Sequence, residues 1–479
     1  MDVAVKNRMY FDPIYGFIGV TPVENEILHS PFYQRLRWIK QLGFSCYVFP
    51  GAEHSRFGHS IGAMHNCHSI LASCGLAVSD FDLAKKVGVS SAARYHQELR
   101  LAALMHDLGT FPFSHTTEAA YIAFAETQNN SSGRDLVDDH ENLGSFIIKN
   151  TDFAGGITEI LKRYQIDPQV ISDLVKGVNP SIFANQILHS EIDCDRMDYL
   201  LRDAHYTGLK YGSYDRDYLL HHFKLDHVAG HRILTIGHNA LHCVEDFLVS
   251  RFAWYSQVIR SPRGAKYDAI AERVCHYLLE KNLIHRYGAL LEMVATDPKR
   301  FYGFNDHYFM GVIHSNYLKG EFDNDPDIKD MAETILFERP AYVVRCEELK
   351  QILIDQHNSA ESEKIVRRAE NKVEEIKEVL KKHGSKEDWL IADLPKKDIV
   401  FVKSERKIVK NTESGNILLE RDPVKISDEN GNIKLLAQVE NSIISKLQHQ
   451  KNYLPNVFCS GGAYKILVER GIIETTSAN

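Results

Sequence analysis

Hydrophobic positions recur with a helical period through most of the chain. In FYQRLRWIKQLG, apolar residues fall at 32, 33, 36, 39 and 42, a stripe that predicts an amphipathic helix closed by Gly43. YHQELRLAALMHD repeats the pattern at 99, 101, 102, 104 and 105. Residues 1–30 read as strand and turn, with Asp12-Pro13 and Tyr15-Gly16 as turn signals. The segment 125–139, AETQNNSSGRDLVDD, is polar and predicts a surface loop leading into His140. Helices continue through 285–345 with polar breaks such as DNDPD at 323–327. Residues 361–383 predict a charged helix, apolar at 365, 369, 373, 376 and 380, stopped by Gly384. Beyond it, WLIADLPKKDIVFVK and KIVKNTESGNILLERDPVKI alternate β-branched residues with charges around turn dipeptides. The expected organisation is an N-terminal strand and turn segment (1–30), a mainly helical core (31–285), a helical extension (286–384) and a smaller α+β lobe (385–479).

A chain of 479 residues exceeds one compact core on the usual scale of roughly 100–200 residues per domain. No apolar run approaches the ~20 residues of a membrane span, and MDVAVKNRMYFDP lacks the basic-then-apolar build of a signal peptide. No membrane partner and a cytoplasmic location are expected. The eight cysteines, at 46, 67, 74, 194, 243, 275, 346 and 459, form no CxxC pair, so neither a zinc ribbon nor a disulfide framework is suggested. A net charge of −8 argues against duplex DNA as a partner. It leaves room for a local basic pocket that takes a polyanion. The 24 histidines direct attention to metals and proton transfer.

Four stretches carry candidate chemistry. EHSRFGHSIG holds Arg56 and His59; LMHDLGTFPFSH holds His106, Asp107 and His115; DDHEN holds His140. HSEIDCDRMDYLLRDAHYTG holds Asp195, Arg196, Tyr199, Arg202 and Asp203. On a helix, 195, 199 and 202/203 share one face. A solvated face would carry the same residues, but Ile192, Cys194, Met197, Leu200 and Leu201 give an apolar opposite side. A packed helix needs partners for so dense a polar face. His59, His106, Asp107 and Asp195 supply two imidazoles and two carboxylates. Such a set suits iron, manganese, zinc, cobalt or nickel better than calcium. A metal there can polarise a phosphoryl group and lower the pKa of bound water.

The order H…HD…D resembles the HD-domain metal-dependent phosphohydrolases. QRLRWIKQLGFSCYVFPGAEHSRFGHSIG, HDLGTFPFSH, His140-Glu141 and IDCDRMDYLLRDAHYTG resemble more closely their deoxynucleoside triphosphate triphosphohydrolase branch. That branch includes the animal proteins pairing a sterile-alpha-motif domain with an HD domain, and bacterial relatives. The likeness is strong over about residues 8–285 and weaker beyond, with no sterile-alpha-motif domain expected ahead of it. It implies a mainly α, multi-helix HD phosphohydrolase core. It also implies cleavage of a dNTP to deoxynucleoside and tripolyphosphate. His59, His106, Asp107 and Asp195 would hold the divalent transition metal, with magnesium accompanying the triphosphate. His115 and His140 would join Asp195 as catalytic residues, orienting phosphate oxygens and supplying the proton to the leaving 5′ oxygen. Arg56 would touch the α-phosphate, with Arg196 and Arg251 on the phosphate chain. Gln41 and Asp203 would hold the 3′-OH. Leu42 and Tyr255 would line the substrate, and Tyr199 would lie under the sugar, leaving no space for a 2′-OH.

Several positions depart from the family pattern. Thr110 stands where a histidine is common, and Ile259 and Tyr255 replace a tyrosine and a histidine near the sugar. Gln34 and Arg37 match two nucleotide-effector positions of the animal tetramers. His29 and Phe11 replace an aspartate and an asparagine there, and IGHNALHC at 236–243 lacks the basic residues of a second effector site. Guanine-nucleotide activation is therefore expected to be lost or altered, in a homo-oligomer, dimer or tetramer. Two other readings remain open. One is a nucleotidase, phosphodiesterase or single-strand nuclease on the same metal. The other is a nucleotide sensor without turnover.

Overall fold

The structure, a computed structural model, describes residues 8–79, 89–128, 139–355, 359–395, 399–400, 409–411, 417–419, 423–447 and 450–473. It opens with an antiparallel hairpin, β1 (Arg8–Asp12) and β2 (Gly16–Val20), in which Phe11 faces Phe17. Asp12 Oδ1 makes the turn by accepting the N–H groups of Ile14 and Tyr15 at 2.8 and 3.2 Å. The strand and turn expected over 1–30 gives way to helix at Pro22–Leu28. Thr21 and Glu24 form a reciprocal capping box there, with Pro22 in the first turn. That signal is legible in TPVE.

The helix expected over 32–42 is broken. A helical turn at Pro31–Gln34 tightens into a 3-10 turn at Arg35–Trp38, and Ile39 is extended. The backbone leaves the helix to pair elsewhere. The Arg56 N–H donates to Ile39 O at 2.9 Å, and the Gln41 N–H donates to His54 O at 3.0 Å. Arg35, fully buried, ties the turn down by donating to the carbonyls of Phe304 and Leu108.

Five helices build the centre: α1 (Arg56–Ser73), α2 (Ser91–Met105), α3 (His115–Gln128), α4 (His140–Asn150) and α5 (Cys194–Thr207). The stripe 99, 101, 102, 104 and 105 of α2 is fully buried. Ser90, Asp139 and Asp193 cap α2, α4 and α5 with their side-chain oxygens, each a contribution of about 1 kcal/mol. Helix α3 continues through 125–128, where a loop was expected, and the rest of that loop, 129–138, lies outside the described residues. Helices α1 and α5 cross so closely that a Cβ on Gly62 would stand 1.8 Å from Asp198 Oδ1.

The hairpin β3 (Phe223–Val228) and β4 (His231–Gly237) follows, then α6 (Leu241–Trp254), which passes through a π-type turn at Tyr255–Ile259 into α7 (Pro262–Glu280). Next come α8 (Asp306–Leu318), β5 (Ala341–Val343), β6 (Ile352–Asp355) and α9 (Ser359–His383). The Gly384 N–H closes α9 onto Leu380 O at 2.7 Å. Then come β7 (Leu390–Asp393), β8 (Lys425–Ser427), β9 (Ile433–Leu435), β10 (Gln450–Tyr453) and β11 (Asn456–Ser460).

Strand pairing cuts across residue 385. β11 lies between β5 and β7, β10 pairs β6, and β8 adds parallel to β4. One large hydrophobic core runs from Ile18 to Phe458, and a smaller one packs α9 on β10, β11 and the C-terminal helix Gly461–Glu469. The molecule is mainly α.

Candidate active site

Three elements converge on one point. His59 comes from the first turn of α1, His106 and Asp107 from the end of α2, and Asp195 from the first turn of α5. Asp107 Oδ2 lies 3.6 Å from both His59 Nε2 and His106 Nε2, and Asp195 Oδ1 lies 3.0 and 3.6 Å from the same nitrogens. Both nitrogens are buried and outside hydrogen-bond geometry. A coordination radius near 2.1 Å spaces neighbouring ligands about 3.0–3.4 Å apart; His59, His106 and Asp107 group closely enough to hold one divalent ion, and Asp195 Oδ1 lies beside both histidine nitrogens. Their donor set is mixed N and O, with no thiolate. Asp195 is the most exposed member, its side chain 31% accessible, and His106 is partly exposed as well, so the set opens on that side.

The outer nitrogens of both imidazoles are already committed. His59 Nδ1 donates to Asp198 Oδ2 at 2.7 Å, and His106 Nδ1 donates to Ala103 O at 2.7 Å. Each bond fixes the tautomer that leaves the Nε2 lone pair facing the other ligands. Asp198 is held in turn by Arg202 through two bonds of 2.8 and 2.9 Å, and Arg202 reaches Asp12 at 2.9 Å. Burial opposes the charge on Asp107, yet Arg56, His106 and His59 hold its carboxyl far below the usual carboxylate range. Asp198 is a functional residue that sequence reading missed. Its signal was the spacing Asp195, Asp198, Arg202 on one helix.

Beside this set lies a second cluster, His115, Glu118 and His140. Glu118 Oε2 accepts His115 Nδ1–H at 2.6 Å, and Oε1 accepts both the Nδ1–H and the N–H of His140, at 2.6 and 2.7 Å. Separations of 2.6 Å are hydrogen bonds and are too short for two ligands of one ion. The cluster is therefore a pair of imidazoles anchored on one buried carboxylate. Burial disfavours the charge on His140, but Glu118 and Asp107 raise its pKa to about 9. Burial likewise opposes ionised Glu118, which the two histidines nevertheless hold far below its usual range. A Cβ on Gly109 would meet His140 O at 2.2 Å and Gly144 N at 2.3 Å, so the HDLG turn lies directly against the start of α4. Glu118 too was missed, although His115 and Glu118 stand three apart on a helix.

The arginines read as phosphate contacts are each paired with a carboxylate. Arg56 Nη1 meets Asp107 Oδ2 at 2.6 Å, Arg251 Nη2 meets Glu191 Oε2 at 2.7 Å, and Arg196 pairs with Asp193. Tyr199 is half-buried with its ring stacked on Trp254, centroids 4.6 Å apart. Asp203 accepts from His54 Nε2 on Oδ1 at 2.8 Å, while its Oδ2, like Gln41 Oε1, is a buried acceptor without a partner. His54 thus links the Gln41 backbone to the Asp203 carboxylate. Leu42 is buried beside Gln41, and Tyr255 opens the π-type turn. Gln34 and Arg37 bond to each other at 2.9 Å, with Arg37 over the Phe57 ring.

The HD domain family matches residues 56–203, from Arg56 to Asp203. A crystal structure of a phosphohydrolase from Bacteroides thetaiotaomicron VPI-5482 shares the fold at a TM-score of 0.64 and 18% identity, covering 95% of this chain and 100% of that one. The chain resembles the HD-domain dNTPases more particularly. It is 28% identical over 222 residues to the deoxynucleoside triphosphate triphosphohydrolase SAMHD1 of Homo sapiens, covering 42% of this chain and 33% of that protein. It is 29% identical over 275 residues to the uncharacterized protein YwfO of Bacillus subtilis (strain 168), covering 57% of this chain and 56% of that protein. The likeness thus spans little more than half the length of that relative. Among the described residues no helix is long and apolar enough to cross a membrane.

Proposed function

We propose that the chain is a metal-dependent dNTP triphosphohydrolase, releasing deoxynucleoside and tripolyphosphate. The observation that carries the reading is the adjacency of two clusters with different work. His59, His106, Asp107 and Asp195 would hold a divalent ion, which when bound supplies Lewis acidity toward a phosphoryl oxygen and an activated water. His115 and His140, anchored through Nδ1 on Glu118, keep their Nε2 sides for the substrate. They are placed to give the leaving 5′ oxygen its proton. Arg56, Arg196 and Arg251 bind phosphate oxygens. Gln41 Oε1 and Asp203 Oδ2, both unpartnered, accept from a sugar hydroxyl, since a buried acceptor without a donor costs about 1–3 kcal/mol. Tyr199, backed by Trp254, is the wall that excludes a 2′-OH. Sequence likeness to SAMHD1 supports the same substrate class.

One observation favours a second reading. Every arginine assigned to phosphate already faces a carboxylate, so the protein itself offers little uncompensated positive charge. A less highly charged phosphoester, cleaved by a phosphodiesterase, would suit that balance. A homo-oligomer with a nucleotide effector near Gln34 and Arg37 belongs to the first reading.

Product identification decides between them. Metal-loaded protein is incubated with the four dNTPs and the four NTPs, singly and mixed, and products are resolved by ion-pair chromatography with mass detection. Deoxynucleoside and tripolyphosphate from dNTPs alone are expected, and activity confined to mixtures would reveal the effector. No tripolyphosphate with any metal or mixture would refute the proposal.

A further inference from the structure

The turn that delivers His115 is held from outside the HD domain. Phe113 and Ser114 both have positive φ, 53° and 57°, a left-handed region that side chains with a Cβ rarely occupy in succession. Two carboxylates, buried Asp306 and half-buried Asp268, hold this segment. Asp306, the first residue of α8, accepts the Phe113 N–H on Oδ1 at 2.6 Å and the Lys40 N–H on Oδ2 at 2.9 Å. Asp268, on α7, accepts the Thr116 hydroxyl at 2.7 Å and the Phe44 N–H at 3.3 Å. The rings of Phe44 and Phe113 stack at 4.0 Å. The Ser114 hydroxyl donates to Lys40 O at 2.7 Å and accepts the Arg56 Nε–H at 3.0 Å. Arg56 in turn meets the metal-binding carboxylate Asp107.

We infer that Asp306 is a positioning residue of the catalytic centre: its two oxygens clamp the left-handed Phe113–Ser114 turn to Lys40 and so set His115. Both oxygens are needed. Each accepts one backbone N–H, whereas an asparagine has one acceptor and would set its amide hydrogens against the other donor. A role in packing alone would be served by asparagine, which has the same shape. The inference rests on the proposed function in giving His115 the leaving group's proton.

The test compares leaving groups in the full-length, manganese-loaded protein. dTTP departs as an alkoxide that needs a proton, and bis(p-nitrophenyl) phosphate departs as an aryl oxide that does not. In Asp306→Asn, kcat on dTTP is expected to fall roughly 10²-fold, the scale of an ångström's misplacement at a reacting centre. KM should change little, manganese per chain should be retained, and kcat on the aryl ester should stay within about threefold. An equal fall on both esters, no fall, or a fall that follows lost manganese would overturn the positioning role. If Asp306→Asn does not fold, Asp306→Glu carries the same expectation of selective loss, because it keeps the charge and both acceptors but displaces them by a methylene from the Phe113 and Lys40 N–H groups. A wild-type protein that releases no tripolyphosphate would refute the proposed function. Wild-type release with an unselective variant would refute this inference alone.

Discussion

Replacing Glu118 by glutamine removes one charge and little volume from the second cluster. The His140 pKa is raised from 6.5 to about 9, a difference worth about 3 kcal/mol at ~1.36 kcal/mol per pKa unit. The sign follows from linkage. A raised pKa stabilises the fold fully below the unfolded value of 6.5, and that stabilisation disappears as pH rises through about 9. Glu118→Gln should therefore cost about 3 kcal/mol in urea unfolding near pH 6 and progressively less toward about pH 10, in line with the loss on breaking a buried ion pair. Activity should change in parallel. With an unperturbed imidazole, only about one tenth of His140 is protonated near pH 7.5, and loss of the anchor misorients both rings. kcat should fall roughly 10²-fold there, and the alkaline limb of the kcat profile should move acidward by about two pH units. A divalent ion beside Asp107 lowers that limb in both proteins, so the comparison is their difference. Alkaline limbs that coincide would refute the dependence of activity on a protonated His140.

Three further outcomes are expected. Asp198→Ala removes the acceptor that orients His59 and should weaken metal affinity 10–100-fold, read by competition with a chelating dye; unchanged affinity would sever the Asp12–Arg202–Asp198–His59 chain from metal binding. Adding manganese to the stripped protein at about 100 times its Kd should stabilise it by about 2.7 kcal/mol, and His106→Ala should abolish most of that gain in a melting scan. Tyr199→Ala should raise kcat/KM for ribonucleotides relative to deoxyribonucleotides by at least about tenfold; an unchanged ratio would place sugar selection elsewhere.

How much of this was legible in sequence varied with the length scale of the cause. The apolar stripes of α2 and α9 were plain because one face of each is buried over several turns. The stripe at 32–42 carried the same period, yet the segment breaks, because the buried guanidinium of Arg35 and the pairing of 39–41 with 54–56 override local preference. The charged residues of the site were readable as types at given spacings, and the structure brings His59, His106, Asp107 and Asp195 within a few ångströms. Glu118, Asp198 and His54 were not singled out, since their work is to hold another side chain by a hydrogen bond that no periodicity encodes. Asp306 is more remote still, 193 residues from the Phe113 it holds.

The parallel pairing of β8 with β4 has a consequence for how the chain reaches this state. The β3–β4 hairpin is complete by residue 237, but its outer edge waits for Lys425–Ser427. The same late segment supplies Ile443 N–H to Glu245 and Asn452 to Ser256. Closing so long a loop is entropically slow. A chain emerging from the ribosome must therefore carry an unsatisfied strand edge and a buried-to-be glutamate through the synthesis of nearly two hundred further residues. Completion of this sheet thus waits for residues 425–427: truncation near residue 385 should yield a protein that aggregates through that edge.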